Sequence, residues 1–387
     1  MAADLMAMTL LPPPLRVGRR VLLGALAATA LLLPLASAAP SSAAPDMEIA
    51  VQDDAVLVGR LYYDRDCALD QIRDMGATRV RVNLSWTEVL GQAQSKRRYQ
   101  PHRLVYHWHP YDALVGAARG RGINVHMTIT GPAPRWATAN HRVGVYRPDA
   151  GKYGAFARSV ARHFHGGVDR YSIWNEPNYK GWLQPLGAAP RVYRGLFRAG
   201  WRGIKSADSG VQVLIGETSP YASKGRAIAP LRFLRGVTCS DRHWRRHCMG
   251  LRADGYAHHP YEFRNRPEAS YPGRDNVTIG TLRRLNVALD RLARSGALRT
   301  PYGQPLGVWL TEFGYFASGK HRLPVGRRAA YVKRAFQIAR NNPRVHGMLQ
   351  YLLVSPPARW ANFNTAIALP DGTPTAPYWA LKQFAER

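Results

Sequence analysis

The strongest constraint on this chain is a repeated alternation. Short apolar runs rich in β-branched residues occur at Val56-Leu57-Val58, Arg79 to Leu84, Ile123 to Thr130, Tyr171 to Trp174, Val211 to Ile215, Gly255 to His258, Val308 to Leu310 and Val345 to Tyr351. Most lead through a turn into an Ala/Arg/Leu-rich stretch of helical period, as at Ala68 to Met75, Tyr111 to Arg119, Tyr153 to His163, Val192 to Lys205, Ile279 to Ser295 and Arg327 to Asn341. Strand and helix repeating every ~25 to 55 residues predict parallel β-α units. Eight units predict an α/β fold, a (β/α)8 TIM barrel in a single domain. An open doubly wound sheet competes, but its G-x-G-x-x-G fingerprint after the first strand is missing.

The first 38 residues read as an address rather than as part of the fold. Arg16, Arg19 and Arg20 form a positive segment, Val21 to Leu35 an apolar one, and Ala36-Ser37-Ala38 a small-residue cleavage site. Fifteen apolar residues span about 22 Å as a helix, short of the ~30 Å hydrocarbon core, so a cleaved signal is favoured over a retained anchor. Sec and twin-arginine export both remain open, since Arg19-Arg20 is a weak mark in an arginine-rich chain. Expected boundaries are 1–38 for the signal, 39–47 for a short linker and 48–387 for the domain. The expected location is secreted, extracellular or at the cell envelope, with no stable membrane insertion once the signal is removed.

Of 387 residues, 54 are Lys or Arg and 25 Asp or Glu, a formal charge of +29 that becomes +27 without residues 1–38. Such a balance raises nucleic acid or an anionic polymer as a partner. The 46 arginines and 8 lysines are spread along the chain among apolar and acidic residues, without a basic arm or a nucleic-acid motif. A solvated basic surface is expected, and no nucleic acid.

Three cysteines fit an exported protein with at most one internal bridge. Cys239 and Cys248 close a short loop and could form a local disulfide, leaving Cys67 over; three buried thiols are the alternative. His243 and His247 between the cysteines do not complete a zinc pattern, so no metal is expected.

In a barrel the reactive groups lie at the C-terminal ends of the strands. Run four continues Trp174-Asn175-Glu176-Pro177-Asn178 and run seven Leu310-Thr311-Glu312-Phe313-Gly314. A carboxylate placed directly after apolar residues is costly to bury unless it is hydrogen-bonded or has work to do; capping of the next helix is the competing explanation. Strands four and seven face each other across a barrel mouth. Two carboxyl groups ~5 to 5.5 Å apart there are the arrangement of a retaining glycosidase, and need no cofactor.

At these residues the chain resembles the large clan of (β/α)8 retaining glycoside hydrolases that includes the family 5 cellulases and the family 39 xylosidases. The likeness rests on W-N-E-P-N at 174–178 and T-E-F-G at 311–314, 136 residues apart and in the clan's order. It implies Glu176 as acid/base, Glu312 as nucleophile and Asn175 as a partner of the sugar 2-hydroxyl. Gly76 to Val82 looks like the clan's second strand, where Arg81 would support the nucleophile. His258-His259-Pro260-Tyr261 is similar to its H-x-Y, with His259 and Tyr261 beside the site. Two departures stand out: run three ends Thr128-Ile129-Thr130-Gly131 where the clan often has a histidine, and run eight ends Leu349-Gln350-Tyr351 where it often has tryptophan.

Flat rings stack on the apolar faces of sugars, so Trp86, Trp136, Trp182 and Trp360, which follow runs two, three, four and eight, are candidate platforms; packing in the core is the alternative for each. The expected partner is therefore a carbohydrate, a β-linked polysaccharide or oligosaccharide cleaved by double displacement. A non-catalytic carbohydrate-binding or cell-envelope protein on the same barrel is the alternative, separated by an assay for released reducing sugar.

Overall fold

The computed structural model describes residues 46–387. The expected signal segment and all but the end of the linker lie outside the described residues. Eight strands form the ring: β1 (Glu48–Gln52), β2 (Arg79–Ser85), β3 (Asn124–Thr130), β4 (Arg170–Ile173), β5 (Gln212–Thr218), β6 (Gly255–His258), β7 (Val308–Leu310) and β8 (Val345–Tyr351). Each pairs in parallel with its sequence neighbours, and β1 closes the ring by pairing with both β2 and β8. The fold is the (β/α)8 barrel that the alternation predicts. A separate pair of two-residue strands, Leu251–Arg252 with Leu298–Arg299, adds to it.

One strand differs from expectation. Val56 and Leu57 lie in a short helix, Asp54–Leu57, because Asp53 caps it by accepting from the Val56 amide. The first strand is Glu48–Gln52 instead. Its polar ends hide it in the sequence, but Ala50 and Val51 pair with Arg79 and Val80 on one side and with Leu349 and Gln350 on the other.

The helices bury one face each against the ring. Arg65–Asp74 is capped by Asp64, which accepts from two backbone amides, and Ala150–His163 by Asp149. Ala150–His163 and Ala189–Ala207 make a close pair in which glycines let the backbones approach. A Cβ on Gly203 would stand 2.2 Å from the Gly154 carbonyl oxygen.

Inside the ring the lower end is stitched by charge. Arg79 bridges Glu48 and Asp169 at 2.9 and 2.6 Å, and Arg170 reaches Glu48 at 2.6 Å. Leu214, Ala257 and Trp309 form a small apolar layer of their own. Strict alternation along β5 from Leu214 would send Glu217 to the outside. A bulge intervenes: Gly216 opposes Ala257 and Thr218 opposes His258, so Glu217 is an inserted residue with no partner across β6. Gly216 takes φ +120°, and a Cβ there would meet the Ala257 carbonyl at 2.4 Å. That turn brings Glu217 inward.

Candidate active site

Residues of β1, β3 and β5, and those just beyond β4 and β7, converge on one buried group. Arg81, on β2, is fully buried and donates to five partners: Thr128 at 3.0 Å, Glu312 at 2.8 Å, Asn175 at 2.9 Å, Glu217 at 3.0 Å, and Gln52. A guanidinium has five fixed donors and no acceptor, which suits it to clamp carboxylates and an amide in one plane. Because Arg81 only donates, the Asn175 atom facing it is Oδ1. This fixes the amide and leaves Nδ2, which has no partner among the described residues, for a ligand.

Directly after β4 the chain turns sharply. Trp174 (φ +64°) and Glu176 (φ +35°) both take left-handed conformations that side-chain-bearing residues seldom adopt. The kink is held by the Trp174 amide bonding to the Ile129 carbonyl and by its indole donating to the Trp182 carbonyl at 2.7 Å. It lifts the Glu176 side chain toward the mouth, 17% exposed, while Glu312 sits deeper at 10%.

His259 lies between the acids. Its Nδ1 is 3.1 Å from Glu176 and 3.5 Å from Glu312, and its Nε2 is 2.7 Å from Glu217. One oxygen of Glu176, one of Glu312 and a ring nitrogen of His259 all lie within 4.8 Å of one another. Tyr261 donates to the second Glu312 oxygen at 3.1 Å. Burial by itself would lower the imidazole, but Glu312, Glu176 and Glu217 around it outweigh that and raise it to about 9. Burial likewise pushes the Glu312 carboxyl up, against the pull of His259 and Arg81. Glu217 is the opposite case: burial is outweighed by Arg81 and His259, with His126 assisting, and the carboxyl is held well below its usual range.

These three atoms could contribute to a metal site only if His259 offered a lone pair. Carboxylates at both ring nitrogens call for two N–H donors, and an imidazolium has no lone pair to give.

A cavity of about 550 Å³ opens above Glu176, Glu312 and Asn175. Of the four tryptophans, Trp182 alone is in its wall. Trp86 is fully buried, stacked on Phe156 at 5.0 Å, and Trp136 packs edge-on to it at 5.7 Å while donating to the Gln94 carbonyl. Both are core residues: the helix Trp86–Ser95 begins at once after β2 and packs the Trp86 ring on Phe156, and the Trp136 ring packs on Trp86 rather than into the cavity. Trp360 is 43% exposed but stands outside the cavity, against Tyr62 and Arg359. The aromatic wall is supplied instead by Tyr179, Tyr221, Phe263, Tyr351 and Phe363. Tyr351 occupies the end of β8.

Sequence reasoning missed Glu217, concealed by the bulge, and also Asn83. Asn83 lines the cavity, and its amide is held by Asp54 at 3.0 Å. Its Oδ1 is buried without a partner among the described residues. The polar end of β2 could have drawn attention to it. Elsewhere the structure pairs Cys239 with Cys248 and leaves Cys67 as an exposed thiol, so the alternative of three buried thiols is set aside.

The chain shares its fold with glycoside hydrolases of solved structure. A family 39 glycoside hydrolase from Bacteroides cellulosilyticus superposes with TM-score 0.64 at 20% identity, over 88% of this chain and 64% of that one. A monomeric β-xylosidase from Caulobacter crescentus gives 0.57 at 17%, over 87% and 67%. A xylanase from Thermotoga petrophila, solved with xylobiose, gives 0.54 at 15%, over 88% and 94%. The chain thus spans just under two thirds of the first of these. No family model matches the sequence, and no curated protein matches it.

Proposed function

We propose that the protein is an exported retaining glycoside hydrolase acting on a β-linked polysaccharide or oligosaccharide. The observation that carries this reading is the pair Glu176 and Glu312, with carboxylate oxygens within 4.8 Å in one cavity at the barrel mouth. Oxygens this close are in keeping with the ~5 to 5.5 Å separation of carboxyl groups in retaining enzymes.

The assignment of roles follows from the surroundings. Glu312 receives hydrogen bonds from Arg81 and Tyr261 and faces His259, donors that hold its oxygens in place for attack although burial raises its carboxyl; Glu176, nearer the opening, is placed to reach a leaving group. In the first step the Glu312 carboxylate attacks the anomeric carbon, the glycosidic C–O bond breaks, and the Glu176 proton passes to the departing oxygen. In the second, water adds to the same carbon, Glu176 takes its proton, and the ester to Glu312 breaks. Asn175 Nδ2 would donate to the hydroxyl next to the reacting carbon. The aromatic wall would carry the faces of neighbouring sugars.

The structural relatives named for xylose-linked substrates make xylan and xylo-oligosaccharides the first substrates to try. Release of reducing sugar from xylan, cellulose, mannan and β-1,3-glucan tests the reading. Hydrolysis lost in Glu312→Ala supports it; glycan binding without hydrolysis by the parent would favour a non-catalytic binding protein.

A further inference from the structure

The buried carboxylate of Glu217 has no part in the double displacement, yet it receives more hydrogen bonds than either proposed catalytic acid. Its Oε2 accepts from His259 Nε2 at 2.7 Å, from the Thr311 hydroxyl at 2.7 Å and from Arg81 at 3.0 Å; its Oε1 faces the Thr128 hydroxyl at 3.4 Å and His126 at 3.8 Å. It is wholly buried, and burying an ionised carboxylate is costly before its partners offset the loss. A carboxylate kept here at that cost has a task.

We propose that Glu217 is a positioning residue that fixes the Nε2–H of His259 and so directs a protonated Nδ1–H at Glu176 and Glu312. The inference depends on the glycosidase reading for its effect on rate, though not for the state of the ring.

The chemistry is one of tautomers. An ionised carboxylate only accepts, so the 2.7 Å contact demands a proton on Nε2. If the ring were neutral, its Nδ1 would accept the proton of Glu176, holding it away from a leaving group, and would point its lone pair toward the Glu312 carboxylate. With the second proton in place, Nδ1–H donates to Glu176 and faces Glu312, which leaves the Glu176 proton free for the departing oxygen.

The other groups that face His259 leave this task to Glu217. Arg81 is positive and reaches the ring only through the acids. His258, the preceding residue, is held neutral by burial, at about 3, and bonds to Thr218 and the Val277 carbonyl. Tyr261 spends its hydroxyl on Glu312. Glu217 alone binds the far nitrogen.

Glu217→Gln keeps the size of the side chain while removing its charge, and its amide could donate to Nε2 as readily as accept from it. In histidine-labelled protein, nitrogen NMR of the ring, assigned through loss of the signal in His259→Asn, should show both nitrogens protonated at pH 7 in the parent. In Glu217→Gln the ring should deprotonate at a pH lower by about one unit or more. In the same variant both limbs of the pH–kcat/KM profile should move down, because the negative charge that raises both Glu312 and His259 is gone. Glu217→Asp should reverse part of this shift.

A neutral His259 at pH 7 in the parent overturns the proposal, and so does a folded Glu217→Gln with unaltered ring titration. If Glu217→Gln does not fold, the parent spectrum alone decides. A parent that hydrolyses no glycan but shows the doubly protonated ring removes the enzymatic reading and keeps the role of Glu217.

Discussion

Arg81 Nη1 lies 2.8 Å from Glu312 Oε1, at the centre of a guanidinium that also ties down Asn175 and Glu217. Three chain segments that are distant in sequence are thereby held in one plane. Arg81→Lys keeps a positive charge but replaces a five-donor fork by a single point donor. Breaking a buried, hydrogen-bonded pair typically costs about 3 to 5 kcal/mol. The variant should unfold at lower denaturant in a urea titration, and its kcat should fall more than its KM changes.

The two acids should fail in different ways. Glu176→Ala should lower kcat on a glycan by about 10²- to 10⁴-fold, the usual worth of general acid/base help, and lose less on an aryl glycoside whose leaving group needs no proton. Glu312→Ala should abolish turnover on both. Added azide should rescue Glu176→Ala with a β-glycosyl azide product and Glu312→Ala with an α-glycosyl azide, read by proton NMR. The reverse pairing would exchange the assigned roles.

Stability should fall on the alkaline side because of His259. The folded state raises this group to about 9, whereas the unfolded chain has it near 6.5, so between those values the folded protein holds a proton that the unfolded chain has released. The contribution is fully present below about pH 6.5 and is lost as pH rises through about 9, at up to ~1.4 kcal/mol per pH unit. Denaturation series from pH 6 to 10 should show this slope in the parent and a flatter one in His259→Asn.

Gly203→Ala tests the helix pair. With 2.2 Å between the added carbon and the Gly154 carbonyl, the two helices must separate. Overpacking of this kind costs about 1 to 3 kcal/mol. A lower Tm with unchanged KM is the expected outcome.

Charge should matter for acidic substrates only. Arg226 lies at the cavity edge, its guanidinium donating to the Tyr179 hydroxyl at 3.1 Å, and it has no acidic partner among the described residues. Rates on a uronate-bearing glycan should therefore drop as salt is raised, and drop at low salt in Arg226→Gln, while rates on a neutral glycan stay level. Identical salt responses would remove this steering role.

Much of this molecule was legible in its sequence because the barrel writes a strong pattern. The alternation of buried strand and amphipathic helix located seven of the eight strands, the carboxylates ending runs four and seven named Glu176 and Glu312, and the resemblance to the glycoside hydrolase clan named Arg81, Asn175, His259 and Tyr261, and these six converge in space. What escaped was whatever departs from period. Strand β1 is flanked by Glu48, Gln52 and Asp53, so its apolar centre was passed over for the Val56-Leu57 segment that Asp53 caps as helix. Glu217 follows a glycine that ends the apolar run, and only three-dimensional pairing shows the insertion that aims it inward. Trp86 and Trp136 have the ring of a sugar platform, but which side of a loop a ring takes is decided by tertiary packing, here against Phe156.

The bulge at Gly216 and Glu217 makes the chemistry of this cleft depend on a count of backbone atoms. Delete Thr218, the residue after the third acid, and the pleat falls back into step with that acid turned to the helical layer, which leaves the imidazole between the remaining two without its far partner. A homologue one residue shorter in this strand would therefore work over a different range of acidity while keeping every other group in the mouth of its barrel.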